Sequence, residues 1–469
     1  MRRRIPRRHM IIFLVIFAFF CIILSASHGD QSFSVPDHLG TKRPYPITTP
    51  HADELIPPPQ CTLSQLYLLA RHGIRYPTKG DVNKFNELIE LFKDVGDEES
   101  WWRHWRNPFK KFKAGLLAKT GETELYLLGR RTNSRYKKFL ENATYDANLF
   151  DFDSSAISRS GQSGVAYSLG LFEGRGSLGQ PLFQPVYIHT IPLNEDNQLA
   201  IKYDCPLWRS IQRNNTTRKR EMSLYVSKHF PAIVDRISKE LSISPPLRPI
   251  HAEYIHRACG FEIALYNKSD TWCSLLRHDE FKTIEYLGDI GNYYMYSYGN
   301  RLNRVMACRL VTNFVERVER AIETRNKGDE PWVRGVLRFA HAETIFFLTT
   351  LLGLNKDDEP LKANWTSNQI SARQFRSSQI APFAANFYFE IYTCDSSSTM
   401  IRMLRNEVPT IIPGCGELYC SWDVFKKTVR HSIDCDFKRI CKHKKHRKHK
   451  VTENLVQWQL NQEEGINEA

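Results

Sequence analysis

Leu66, Tyr67, Leu68, Leu69 and Ala70 form a short apolar run that ends abruptly in Arg71, His72 and Gly73. A run of this length, with charge and glycine directly behind it, predicts a buried strand that opens into a loop. Groups just past such a strand stand at the C-terminal edge of a sheet, where α/β proteins build their sites. The rest of the chain extends that pattern. In 120–140 the apolar positions Leu125, Leu128, Tyr136, Phe139 and Leu140 keep helical spacing, with Thr120 or Thr123 available as a cap. A second helix is predicted over 160–172 and a further buried strand over 186–189, so strands and helices alternate.

Strand signals fade over 204–326, where long charged and aromatic segments with helical spacing dominate, including 221–239 and 308–324. This stretch reads as a mostly helical insertion. Strand character returns over 336–340 and again over 385–393, where Phe387, Phe389 and Ile391 alternate with Tyr388, Glu390 and Tyr392. The expected organisation is an α/β core over 61–203 and 327–436, interrupted by the insertion at 204–326. An extended lead-in over 28–60 precedes it, with order beginning near Cys61, and a basic disordered tail over 437–469 closes the chain. No internal repeat is present.

Arg2, Arg3, Arg4, Arg7 and Arg8 precede an apolar stretch from Ile11 to Leu24 and the small residues Ser25, Ala26 and Ser27, the layout of a signal peptide over 1–27. The stretch is shorter than the roughly 20 residues a membrane span needs, so cleavage is expected, an uncleaved anchor being the alternative. Membrane association is expected only in that second case. Sequons at Asn142, Asn214, Asn215, Asn267 and Asn364 would be surface glycosylation sites in the secretory pathway. Cys21 lies in the leader, which leaves ten cysteines; an even set in an oxidising compartment suggests disulfides, with Cys259–Cys273 and Cys415–Cys420 as plausible close pairs. The grouping of Cys415, Cys420, Cys435, Cys441, His443 and His446 fits no paired CxxC spacing, and no metal site is expected there.

The net charge of +14 includes five arginines in the leader and six lysines and arginines between Lys442 and Lys450, so about +3 remains on the body. That excludes a polybasic nucleic-acid binder; the run KHKKHRKHK reads as a solvated tail.

Arg71-His72-Gly73-Ile74-Arg75-Tyr76-Pro77 sets an imidazole between two guanidiniums, with Gly73 permitting close backbone approach and Pro77 stiffening the exit. Guanidinium forks match phosphate oxygens, and a neutral imidazole attacks phosphorus once neighbouring cations have drawn off its charge. Three further segments place a histidine beside an acid: His251-Ala252-Glu253, His278-Asp279 and His341-Ala342-Glu343. The last is favoured, because it comes directly after the strand predicted at 336–340 and opens an apolar helical run, and helix N-termini stabilise anions.

The segment Arg71, His72, Gly73, Arg75 and Pro77 meets the signature RHGxRxP and resembles the histidine acid phosphatase family. The resemblance implies a histidine-phosphatase-like α/β core, with a central mixed sheet flanked by helices, and a mostly helical inserted domain. It implies His72 as the residue that forms a phosphohistidine, and Arg71 and Arg75 as phosphate-binding groups. Arg159, in Ser155-Ala156-Ile157-Ser158-Arg159-Ser160, resembles the family's third phosphate-binding arginine, with His341 beside it and Glu343 as general acid. The run from Phe339 to Thr344, together with Pro382-Phe383-Ala384-Ala385-Asn386, Leu287, Asp289 and Pro413-Gly414-Cys415-Gly416, resembles the multiple inositol polyphosphate phosphatase branch, over roughly Cys61 to Cys435.

That branch implies inositol hexakisphosphate and its lower esters as substrates, extending to 2,3-bisphosphoglycerate, with no cofactor. Lys79 is the first choice for a lysine holding a further phosphate, ahead of Lys84, Lys110, Lys111 and Lys113. A broad-specificity acid phosphatase is the alternative, and a catalytically inactive phosphate-ligand-binding secreted protein is the alternative of another class. Two features depart from the branch: Ile74 stands where a small hydroxyl residue is common, and the C-terminal Ile-Asn-Glu-Ala is not a KDEL-type signal, so a secreted or cell-surface location is expected over retention in the endoplasmic reticulum.

Overall fold

The computed structural model describes residues 33–47, 57–141, 143–329, 332–395, 398–433 and 435–442. The leader, Asn142, His443, His446 and nearly all of the basic tail lie outside them.

The apolar run at 66–70 belongs to strand β1 (Cys61–Arg71), whose second half is buried throughout. After it come α1 (Lys79–Phe92), α2 (Lys119–Arg135), β2 (Phe150–Ser154), α3 (Ser158–Leu171) and the two-residue β3 (Ile188–His189). The next elements, up to residue 326, are helices alone: α4 (Pro206–Arg213), α5 (Thr216–Glu240), α6 (Pro249–Tyr266), α7 (His278–Tyr296) and α8 (Cys308–Asn326), besides short 3-10 turns. The chain then returns to the sheet with β4 (Gly335–Ala340), passes through α9 (Ala342–Leu351), and adds β5 (Asn386–Cys394), β6 (Thr399–Arg405), β7 (Val408–Thr410), β8 (Tyr419–Ser421) and α10 (Trp422–Val429).

The strands form one mixed sheet in the order β3-β2-β4-β1-β5-β6-β7, with β8 also paired to β6. Strands β3, β2, β4 and β1 run parallel, and pairing from β1 onward to β7 is antiparallel. The register brings the parallel strands to a common end. Arg71 at the end of β1 pairs with Ala340 at the end of β4, and Ser154 at the end of β2 pairs with Phe339, so three parallel strands finish on one edge.

Alternation along β1 sends Leu66, Leu68 and Ala70 to a core with Leu125, Leu128, Phe152, Tyr167 and Phe339. Helices α2 and α3 close that face by crossing at bare backbone: a Cβ on Gly129 would sit 2.2 Å from the Tyr167 carbonyl, and one on Gly170 would sit 2.1 Å from the Tyr126 carbonyl. On the opposite face Tyr67 meets Phe314 of α8 edge to face, with ring centroids 4.7 Å apart. Disulfides link Cys61–Cys394, Cys205–Cys441, Cys259–Cys273, Cys308–Cys435 and Cys415–Cys420. None of the four cysteines of the rejected metal grouping is therefore a free thiol.

Several sequence expectations need correction. The strand expected over 186–189 shrinks to Ile188 and His189, which are not buried because β3 lies at the sheet edge with β2 as its one neighbour; Tyr187 before it is 67% exposed. Neither Thr120 nor Thr123 caps α2; Ala118 stands at the N-cap and both threonines lie inside the helix. The lead-in does not wait for Cys61: Leu39, Thr41 and Lys42 are buried in a short 3-10 turn at Gly40–Lys42. The stretch expected to be disordered from 437 is ordered over the described residues 437–442, where Phe437 and Cys441 are buried and Cys441 is bridged to Cys205.

Candidate active site

Each strand that ends on the shared edge delivers part of one constellation. Strand β1 delivers Arg71, His72 and, after the tight turn at Gly73, Arg75; these three side-chain-bearing residues are 1–3% exposed. The turn is possible only with glycine. A Cβ on Gly73 would lie 2.3 Å from the Gly121 carbonyl oxygen at the start of α2. Strand β2 delivers Ser155 and, in the first turn of α3, Arg159, while β4 delivers His341 at the N-cap of α9 and Glu343 in its first turn.

The His72 and His341 rings meet edge to face with centroids 5.6 Å apart. His72 Nδ1 lies 2.8 Å from the Gly73 carbonyl oxygen. A carbonyl only accepts, so Nδ1 carries the proton and Nε2 keeps its lone pair. Burial, then the charges of Arg159 and Arg71 and the neighbouring His341, hold the His72 imidazole well below its ordinary pKa, against a smaller opposing effect of the Gly73 bond. It is neutral over the physiological range. Arg159 Nη2 approaches His341 Nδ1 at 3.5 Å, and His341 Nε2 is 2.8 Å from Ser155 Oγ. The guanidinium can only donate, so in the neutral ring Nε2 carries the proton and donates to Ser155.

Backbone and ring contacts fix the signature loop. Arg71 donates to the carbonyls of Thr41 and Ala381 at 2.7 Å each and lies 4.4 Å over the Phe383 ring. The Ala384 N–H donates to the His72 carbonyl at 3.1 Å, so the Pro382–Asn386 segment braces the signature turn. Asp289 supports that region from α7, accepting from Arg373 at 2.7 and 2.9 Å and from the Ser377 N–H at 2.8 Å. Ser163 of α3 accepts the Gly73 N–H at 3.1 Å.

Four neighbours of the site escaped the sequence. Half-buried Glu124 takes the N–H groups of Ile74 and Tyr45 at 2.8 and 3.0 Å, and burial pushes its carboxyl up to about 7. Lys42 comes from the lead-in; burial, then Arg75, Arg257 and Arg71, pull its ammonium well below the usual lysine range. Arg257 of α6 binds Asp81 at 3.1 Å and Glu253 at 2.8 Å. Burial alone would raise Asp81, but Arg257, Lys42, Arg75 and Lys84 outweigh it and hold the carboxyl below its ordinary value. Lys202, from the stretch before α4, pairs with Glu343 at 3.1 Å. None of the four carried a local sequence signal: each is a single residue in a segment that reads as extended lead-in, solvated helix or loop.

The remaining candidates fall elsewhere. Lys79 is exposed at the first position of α1, behind the Thr78–Asp81 capping box. His251 is held by the Arg248 N–H at 3.0 Å and faces Glu87 at 3.2 Å, and His278 opens α7. Lys84 sits 5.4 Å from the Tyr254 ring, while Lys110, Lys111 and Lys113 are exposed. Asn214, Asn267 and Asn364 are exposed, whereas the Asn215 amide nitrogen is engaged with Gln212 and Tyr294 at 3.2 and 3.3 Å.

A buried neutral imidazole with a bare Nε2, ringed by guanidiniums at a sheet edge and with a carboxyl at an adjoining helix start, is equipped for nucleophilic attack on a phosphate ester. Comparison with known proteins agrees. A multiple inositol polyphosphate phosphatase 1 of Dictyostelium discoideum is 32% identical over 431 residues, covering 81% of this chain and 68% of that protein. The one from Gallus gallus is 25% identical over 430 residues, covering 86% and 92%. In fold, the phytase from D. castellii superposes with a TM-score of 0.72 at 17% identity over 89% of this chain and 91% of that one. The Bifidobacterium longum multiple inositol polyphosphate phosphatase, solved with inositol hexasulfate, gives 0.64 at 15% over 82% and 95%. Residues 62–406 match the histidine phosphatase superfamily (branch 2), and the chain belongs to that family.

Proposed function

We propose that this protein hydrolyses phosphate monoesters of inositol polyphosphates through a phosphohistidine on His72. The observation that carries this is the state of His72: buried, neutral, with Nδ1 committed to the Gly73 carbonyl and Nε2 left as the nucleophile. In the first step Nε2 attacks phosphorus while Glu343 protonates the departing alcohol; in the second, water attacks the phosphohistidine with Glu343 as base. Arg71, Arg75, Arg159 and His341 stabilise the charge on the transferring group. Losing one such donor costs on the order of 10² to 10³ in turnover.

The cations behind the signature favour a multiply phosphorylated substrate over a simple one. Lys42, Arg75, Arg257 and Lys84 gather around the buried carboxylate of Asp81, with Glu253 as a second acid on Arg257, so basic side chains outnumber acids in this cluster behind the signature. Lys79 adds charge at the start of α1. The Dictyostelium and Gallus relatives carry the same substrate class in their names. The disulfides fit an oxidising, secretory compartment, with glycans on Asn214, Asn267 and Asn364, and no helix among the described residues is long and apolar enough to cross a membrane.

Phosphate release from inositol hexakisphosphate and from phenyl phosphate, in the presence of chelator, tests the proposal. Turnover of the hexakisphosphate by wild type and its loss in His72→Ala and Glu343→Gln are expected. Efficient turnover of phenyl phosphate alone would make the protein a broad-specificity acid phosphatase, and turnover of neither by folded protein would make it a binder.

A further inference from the structure

Lys202 lies outside every motif that marks the site, yet the chain builds a support for it. Thr344, in the first turn of α9, donates from Oγ1 to the Leu199 carbonyl at 2.8 Å. Asp196 folds the same stretch by accepting the N–H groups of Gln198 and Leu199 at 3.1 and 2.7 Å. Its far end is tied down by the Cys205–Cys441 disulfide and by the Leu207 N–H, which donates to the Cys441 carbonyl at 3.2 Å. Held this way, Lys202 Nζ stands 3.1 Å from Glu343 Oε1, with the two side chains 10% and 8% exposed. The ammonium also lies 5.0 Å from the Tyr203 ring centroid.

We propose that Lys202 is a positioning residue for Glu343, the counter-ion that determines over which pH range the enzyme protonates its leaving group. This rests on the role given to Glu343 above. In the first step the His72 Nε2–P bond forms, the bond from phosphorus to the ester oxygen breaks, and the Glu343 proton moves to that oxygen, leaving a carboxylate. In the second, water bonds to phosphorus, its proton passes to Glu343, and the P–N bond breaks to restore His72. An ammonium at this distance, with little solvent between, stabilises the carboxylate that exists between the steps and opposes the acid form that starts the cycle. Lys202 therefore favours dephosphorylation and confines phosphorylation to lower pH. The other charged and titratable groups of the site are Arg71 on β1, His72 and Arg75 just past it, His341 just past β4, Arg159 on α3 and, on the segment of Lys202 itself, Asp196 and Tyr203. They are unchanged by substitution at 202.

The deciding experiment is kcat/KM against pH on phenyl phosphate, whose single phosphate removes any contribution of Lys202 to holding further phosphates. Wild type, Lys202→Met, Lys202→Gln, Lys202→Arg, Glu343→Gln and the Lys202→Met/Glu343→Gln double variant are compared, with folding checked by circular dichroism. Lys202→Met and Lys202→Gln should move the alkaline limb to higher pH, raising kcat/KM on that limb about tenfold. Lys202→Arg should restore the wild-type limb, and in the Glu343→Gln background Lys202→Met should add nothing. A limb that disappears with Glu343→Gln but is unmoved by Lys202→Met and Lys202→Gln overturns the proposal alone. A limb that survives Glu343→Gln overturns the role of Glu343 itself.

Discussion

Gly73→Ala adds one methyl group where β1 turns against the start of α2. The new carbon would lie 2.3 Å from the Gly121 carbonyl oxygen and 2.7 Å from its carbonyl and α carbons, all backbone atoms with no rotamer to yield. Reaching ordinary contact requires the two backbones to part by about an ångström, and overpacking of this kind costs about 1–3 kcal/mol. The loss of activity should exceed what that destabilisation implies. The Gly73 carbonyl holds His72 Nδ1 at 2.8 Å and its N–H is held by Ser163 at 3.1 Å, so displacing this residue moves the His72 imidazole, the proposed nucleophile. A misplacement of about 1 Å costs on the order of 10² in rate. Urea denaturation midpoints and steady-state kcat on the purified protein read the two effects separately. Gly121→Ala should reproduce them from the other side, its Cβ lying 2.1 Å from the Ile74 carbonyl. Gly288→Ala, with nothing within 4 Å of the added carbon inside α7, serves as the control and should be neutral or stabilising. Wild-type kcat and midpoint in Gly73→Ala would refute the reasoning.

The same geometry makes other expectations measurable. Arg159→Met removes the largest charge effect lowering the His72 pKa, so the acidic limb of kcat/KM should move to higher pH while kcat falls about 10² to 10³; a lower kcat with an unmoved limb would contradict that cause. Glu124 holds its proton up to about 7 when folded, against 4.5 ordinarily, so between those values the folded state binds a proton the unfolded state has lost and stability falls as pH rises. Glu124→Gln should flatten the decline in Tm between pH 4.5 and 7, and an unchanged slope would sink the assignment. Cys205→Ser with Cys441→Ser should lower stability by about 2–5 kcal/mol in urea titrations and loosen the stretch that carries Lys202, so its alkaline limb should drift toward that of Lys202→Met.

What the sequence made legible was what local pattern decides. The apolar run before Arg71 and the strand before His341 each end in charge, and both ends meet on one sheet edge because β1 and β4 pair in parallel. Helical segments were equally plain, since their periodicity needs no partner to be seen. Lys42, Glu124, Lys202 and Arg257 were not legible, because each acts through a neighbour far away in the chain. Lys42 lies in a polar, proline-rich stretch that gave no period, and only the fold sets it, buried, beside Arg71, Arg75, Arg257 and Asp81. Lys202 looked like any loop lysine until the Thr344–Leu199 bond and the Cys205–Cys441 disulfide set it against Glu343. The strand predicted near 186 failed for a related reason: β3 is an edge strand with one neighbour, so an apolar run there is not a measure of burial.

The covalent step is the centre of the mechanism, and trapping it is the most direct measurement. Glu343→Gln, which lacks the base for the second step, is mixed with a phosphate-labelled aryl monoester whose acidic leaving group needs no proton from residue 343, quenched in base where phosphohistidine survives, digested and mapped by mass spectrometry. The predicted result is label on the peptide containing His72, attached to the imidazole, and none in His72→Ala. Label on another residue, or burst-free turnover with no protein-bound phosphate in wild type and Glu343→Gln alike, would contradict it.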